Sequence, residues 1–155
     1  MRVGLGINIQ DYYVIERGNF MKIDYAVISD EPNILVFDKR HISQEQLIKA
    51  ITDNRVCVAT EAEIVLGYAR FNFFWDSIPF LNMLYVPDGY NRIGVGSGLL
   101  KFWENEMQAQ GYKTVLTSTM SNEKAQQFFR KHGYMDAGNL YFENEGLELI
   151  LSKQF

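Results

Sequence analysis

Apolar positions along this chain follow two periods, and the changes from one to the other mark its elements. Residues 64–74 form a long apolar and aromatic run bounded by acidic side chains, which reads as a strand. Residues 56–60 before it are short and β-branched, and residues 21–28 and 80–86 read as strands too. The last of these ends at Pro87-Asp88-Gly89, a turn signal. Residues 114–119, 137–142 and 147–151 complete the strand-like runs, the final two as a closing pair. Helical spacing takes over at three places. Ser43-Gln44-Glu45-Gln46 is a capping box that opens a helix with Leu47, Ile48 and Ile51 on one face and Asp53-Asn54 at its end. Val95, Leu99, Phe102, Trp103 and Met107 share the apolar face of a longer helix, stopped after Gln110 by Gly111. Residues 122–132 form a third helix, with Ala125, Phe128 and Phe129 inward and Gly133 as its stop. The order is mixed α/β.

Composition narrows what such a domain can be. The chain has 155 residues, enough for one core, and 47% apolar with 14% aromatic residues excludes disorder as its main state. Cys57 is the only cysteine, so a disulfide framework is excluded and a strand-buried thiol is expected. A net charge of −4 without a Lys/Arg stripe argues against nucleic acid as a partner. No apolar run approaches the roughly 20 residues that span a bilayer, and the start lacks a signal-peptide pattern, so neither membrane nor export is expected. The expected setting is cytoplasmic, with the oligomeric state, a homodimer included, left open. Residues 1–20 carry three glycines and no clear period. They read as an N-terminal extension or an extra strand ahead of a domain at 21–155.

The chemistry centres on Tyr90-Asn91-Arg92-Ile93-Gly94-Val95-Gly96-Ser97-Gly98, placed between a strand and a helix. There, free backbone N–H groups and the helix dipole favour an anion, and glycines let phosphate approach. A nucleoside-triphosphate loop would end in Gly-Lys-Ser/Thr, but Leu99-Leu100 follow Gly98. A dinucleotide fold would want a G-x-G-x-x-G spacing and a later carboxylate, and neither is present. Two histidines 91 positions apart and one cysteine give no metal spacing, so no metal is expected.

This segment resembles the pyrophosphate loop of the GNAT acetyltransferases, Q/R-x-x-G-x-G/A. Asn122-x-x-Ala125-x-x-Phe128-Phe129-x-x-x-Gly133-Tyr134 resembles the same family's N-x-x-A-x-x-(L/F)-Y-x-x-x-G-(F/Y) helix, 26 residues after Gly96. The resemblance runs from about residue 23 to the end, and the segment Phe74-Trp75-Asp76-Ser77-Ile78-Pro79-Phe80 looks like the mark of one subgroup. Two departures stand out: Asn91 fills the Q/R position with Arg92 beside it, and Phe129 replaces the tyrosine that commonly serves as general acid.

The resemblance implies a GNAT acyl-CoA N-acyltransferase fold, a twisted mixed sheet flanked by helices. It implies acetyl transfer from acetyl-CoA, as co-substrate, to an amine of a small molecule or an amino terminus by direct attack in a ternary complex. Leu84, Tyr85 and Val86 would hold the pantetheine arm. Asn91, Arg92, Ile93, Gly94, Val95, Gly96 and Ser97 would hold the pyrophosphate. Asn122 would steady the arm, Phe128 and Phe129 would cover it, and Arg130 or Lys131 would meet the 3′-phosphate. Asp76, in an aromatic setting where partial burial would raise a carboxylate, is the first candidate for base or amine anchor. His41 is the second, and Tyr85 and Tyr134, or Ser121 through water, are candidate acids. Two other readings stay open: an acyl-CoA-binding regulator with little catalysis, and a phosphate-binding module unrelated to CoA.

Overall fold

The computed structural model describes residues 12–15, 19–90 and 94–155. Among them, eight strands form one sheet in the order β1-β2-β3-β4-β5-β6-β8-β7. Strands β1 (Tyr12–Ile15), β2 (Asn19–Tyr25), β3 (Val56–Glu61), β4 (Ile64–Phe74) and β5 (Ile78–Tyr85) make an antiparallel meander. Strand β6 (Thr114–Met120) lies parallel to β5, and β8 (Gly146–Gln154) is inserted between β6 and the edge strand β7 (Met135–Phe142). The region expected as an extension or extra strand, residues 1–20, lies mostly outside the described residues, which start with β1.

Helices α1 (Glu31–Asp38) and α2 (Gln44–Thr52) cover one face of the sheet, and α3 (Val95–Ala109) and α4 (Ala125–Lys131) the other. Each face has its own core. Ile34, Leu47 and Ile51 pack on Val56, Val58 and Tyr68. Leu99, Trp103 and Met107 pack on Cys57, Ala69, Phe71 and Leu81. The Ser43 hydroxyl accepts from the Gln46 amide while the Gln46 side chain accepts from the Ser43 amide, as the capping box predicts. Ile48 faces outward, and Ala50 takes the inward place expected for it. No helix among the described residues is long and apolar enough to cross a membrane.

Among the irregularities of the sheet, three shape the region around β4 and β5. On β4 and β5, Arg70 pairs with Met83 and Phe71 with Leu81, so Asn82 is an extra residue, a β-bulge. Leu81 and Met83, two positions apart, therefore face opposite sides of the sheet. Next, β5 and β6 pair only at Phe80–Leu116 and Leu81–Thr117; beyond that point the strands part. Finally, two hairpins of the meander turn on pairs of left-handed residues that are not glycine. These are Ala62 and Glu63 at φ 46° and 67°, and Trp75 and Asp76 at φ 50° and 58°.

Candidate functional site

A cavity of about 520 Å³ lies along the parted end of β5. Leu84, Tyr85 and Val86 form one side, Gly94, Gly96 and Ser97 one end, and Ala125, Phe128 and Phe129 the side opposite, with Tyr90 from the connecting loop. Since β6 has departed, the edge of β5 beyond Leu81 has no strand partner on that side.

The end wall is the start of α3. Gly94 caps it at φ 88°, a conformation that favours glycine, and the first helical bond runs from the Gly98 N–H to the Gly94 carbonyl at 2.8 Å. The amides of Val95, Gly96 and Ser97 thus precede the first intrahelical acceptor. No carboxylate lines the cavity among the described residues, so these amides and the positive end of the helix dipole suit an anion. Gly67 in β4 brings α3 this close to β5. A Cβ there would stand 2.8 Å from the Tyr85 carbonyl oxygen and 3.0 Å from Val95 Cγ1.

The structure brings together Leu84, Tyr85, Val86, Gly94, Gly96, Ser97, Phe128 and Phe129 of the residues expected to hold the cofactor. Val95 turns into the core beneath them. Asn91, Arg92 and Ile93 lie outside the described residues. Asn122 is exposed in the turn before α4, which starts three residues later than expected, and neither it nor exposed Lys131 lines the cavity. Arg130 is committed elsewhere, donating to both carboxylate oxygens of Asp136 at 2.7 and 3.0 Å. Tyr90 joins the wall without a signal of its own in the sequence, apart from directly preceding the glycine-rich segment.

The candidate acids and bases are dispersed. Tyr85 is half-buried, its ring 5.0 Å from that of Phe37 and 5.8 Å from that of Tyr68. Tyr134 is buried against Phe129, its hydroxyl without a partner, and burial together with the Glu104 carboxylate pushes that hydroxyl upward. It does not line the cavity. Asp76 corrects the sequence reading. It is exposed at the β4–β5 turn, so the expected partial burial is missing. The length of β5, roughly 25 Å at strand rise, separates that turn from Tyr85.

His41 lies on the opposite face, in the α1–α2 loop, with Nδ1 3.5 Å from Asp38 Oδ1. Asp38 is fully buried and receives Arg70 twice, Nε at 2.7 Å and Nη2 at 3.2 Å. Nothing in the sequence signals this pair, whose members are 32 positions apart. His132 at the end of α4 donates Nδ1–H to the Phe128 carbonyl at 2.9 Å, since a carbonyl can only accept. No group of three or more His, Cys, Asp or Glu side chains converges among the described residues.

Residues 24–134 match the acetyltransferase (GNAT) family. No curated protein sequence matches. Among solved structures, Ard1 from Thermoplasma volcanium superposes with a TM-score of 0.77 at 16% identity, over 86% of this chain and 97% of that one. Naa50 of Arabidopsis thaliana, solved with the bisubstrate analogue CoA-Ac-MVNAL, gives 0.71 at 17%, over 87% and 99%. The ribosomal-protein-S18-alanine N-acetyltransferase of Escherichia coli gives 0.72 at 20%, over 86% and 93%.

Proposed function

The chain belongs to the acetyltransferase (GNAT) family, and from that premise we propose that it moves an acetyl group from acetyl-CoA to the nitrogen of a small amine or an amino terminus. One observation carries the reading. The cavity joins an anion-suited helix start to an unpaired strand edge under apolar rings, a donor set that fits a pyrophosphate followed by an amide-bearing arm. Acetyl-CoA, when bound, would supply an activated thioester whose thiol is the leaving group.

The chain's own residues do the rest. The amides of Val95, Gly96 and Ser97 hold the phosphates. The free edge of β5 at residues 83–85 pairs with the arm and offers an N–H to the acyl oxygen, where negative charge grows during attack. Leu84, Phe128 and Phe129 keep water from that oxygen, which strengthens the N–H contact. A thiol of pKa about 8.5 leaves without a strong acid, so phenylalanine at position 129 is tolerable. The Tyr85 ring packs with Phe37 and Tyr68 on the α1–α2 face, so we assign it no proton-donor role in this cavity. The attacking amine, with a pKa near 10.4 for an alkylamine, must first release its proton, and direct attack in a ternary complex requires both substrates at once.

Two measurements test this. CoA at 100 times its Kd should stabilise the fold by about 2.7 kcal/mol, read as a rise in Tm. Thiol release from acetyl-CoA should depend on an added amine, with intersecting rather than parallel initial-rate lines. The cavity's described lining holds no carboxylate or imidazole, which favours a second reading, an acyl-CoA-binding regulator. A Tm rise with no thiol release on any amine would establish that reading instead. No Tm rise would leave neither.

A further inference from the structure

The α1–α2 face carries another concavity, about 270 Å³, whose lining includes Asn82, the residue that follows the last β5–β6 pair. It is a polar cup. Lys49, Arg55 and Arg70 line it together with His41, Asn72 and the bulged Asn82. No acidic side chain lines it among the described residues, in a protein of net charge −4. Two carboxylates stand behind these cations, and both are shared. Asp53 takes Lys49 and Arg55 at 3.0 Å each, and Asp38 takes Arg70 and His41. Three fixed cations thus face two carboxylates, leaving an excess of positive charge toward the cup. Arg70 gives Nε and Nη2 to Asp38, which fixes its guanidinium plane and leaves further N–H groups for a ligand. The amides of Asn72 and Asn82 add neutral donors around it.

The bulge ties this cup to the cavity. Asn82 is the first β5 residue past the last β5–β6 pair, so it stands at the apex of the opening in the sheet. Leu84, on the wall of the other cavity, is two residues further on, roughly 7 Å at strand rise. Asn82 thus belongs both to the lining of the cup and to the strand edge that leads to Leu84.

We propose, resting on the acetyl-transfer reading, that the acceptor is a small amine that also bears an oxyanion group, a carboxylate or a phosphate, and that Lys49, Arg55 and Arg70 hold that group while the amine lies at the opening beside Asn82. The amine nitrogen forms the new bond to the acyl carbon, the carbon–sulfur bond breaks, and the proton lost by nitrogen offsets the one gained by sulfur. A cationic polyamine is disfavoured, because its second ammonium would meet the cup's cations.

Acceptors matched in length test this: an amino acid, an aminoalkyl phosphate, the plain alkylamine and a diamine, each with acetyl-CoA. The KM for the amino acid or the phosphate should be at least tenfold below that of the alkylamine, and the difference between those two arms identifies the anion. The double variant Lys49→Gln, Arg55→Gln should raise that KM at least tenfold, leave the alkylamine within twofold and leave the CoA-induced Tm shift unchanged. Equal KM values across the panel, or preference for the diamine, would overturn the proposal. If no amine is acetylated, the CoA shift judges the acetyl-transfer reading, and the cup is judged separately by NMR line broadening of an N-acetylated amino acid. Broadening with the wild type that is lost in the double variant supports the cup; no broadening with the wild type refutes it.

Discussion

On the α3 side of the sheet the cavity is made of main-chain amides, two glycines and apolar rings. On the α1–α2 side the cup is made of charged and amide side chains drawn from two loops, a helix and two strands. The difference decides what each can tolerate. Amide donors survive most side-chain changes but not added volume, because the backbone itself must approach the ligand. The cup is the reverse: it has room, and its recognition disappears with a few side-chain heads.

Four changes press on this contrast, from the largest expected effect to the smallest. Asp38→Ala should destabilise the fold by about 3–5 kcal/mol, since it leaves the buried Arg70 guanidinium without its carboxylate. Urea unfolding measures it, and Asp38→Leu with Arg70→Met should recover most of the loss; a small loss from Asp38→Ala alone would show that the pair is not what anchors the cup. Gly67→Ala should cost about 1–3 kcal/mol and weaken CoA binding at least tenfold, because the new Cβ meets the Tyr85 carbonyl, which is backbone. Gly98→Ala is its control. The atoms it meets, Ile23 Cδ1 at 2.8 Å and Met21 Cε at 3.1 Å, are flexible side-chain ends that can yield, so calorimetry should find a milder change.

Asp76→Gly should stabilise the protein by about 0.5–1 kcal/mol, because glycine adopts the left-handed turn without strain. The rate of acetyl transfer should not change. A large fall in kcat would return Asp76 to the site from which its exposed turn removes it.

The last change is one of pH. Arg130 holds the Asp136 carboxyl below its usual range, so the stabilisation from this pair is fully present above about pH 4 and is lost as pH falls through the depressed value. Asp136→Asn should flatten that acid limb in a pH series of Tm values, by lowering Tm slightly at pH 7 and leaving it unchanged at the acid end, with no change in the ligand affinity of either site.

The same contrast governs how much can be read from the sequence. The cavity is legible because its devices are local. Gly94 and Gly96 sit within three positions of each other, and Leu84 to Val86 lead toward them along one strand end. The helix carrying Phe128 and Phe129 keeps a recognisable spacing. The cup is not legible, because Lys49, Arg70 and Asn82 are neighbours only through strand pairing and an extra residue that no local pattern announces. Helix α1 escapes a reading by period for a different reason. Ile34-Leu35-Val36-Phe37 is apolar at four consecutive positions, so it shows no helical repeat. At the β4–β5 turn the sequence hides the tightness, because Trp75-Asp76 is not a pair that favours left-handed backbone. Ile78 and Pro79, just ahead of the run read as a strand from residue 80, are already part of β5, with Pro79 buried.

The bulge at Asn82 sets the phase of the strand beyond it. Because side chains alternate, one additional position decides that Leu84 belongs to one ligand site while Met83 and Tyr85 pack toward the other face. Gain or loss of a single codon there would exchange the linings of both sites in one step, an outcome no point substitution can reach. In a lineage of such domains, acceptor preference could therefore change abruptly through length variation in β5. A library that varies the length of this strand would sample that change directly.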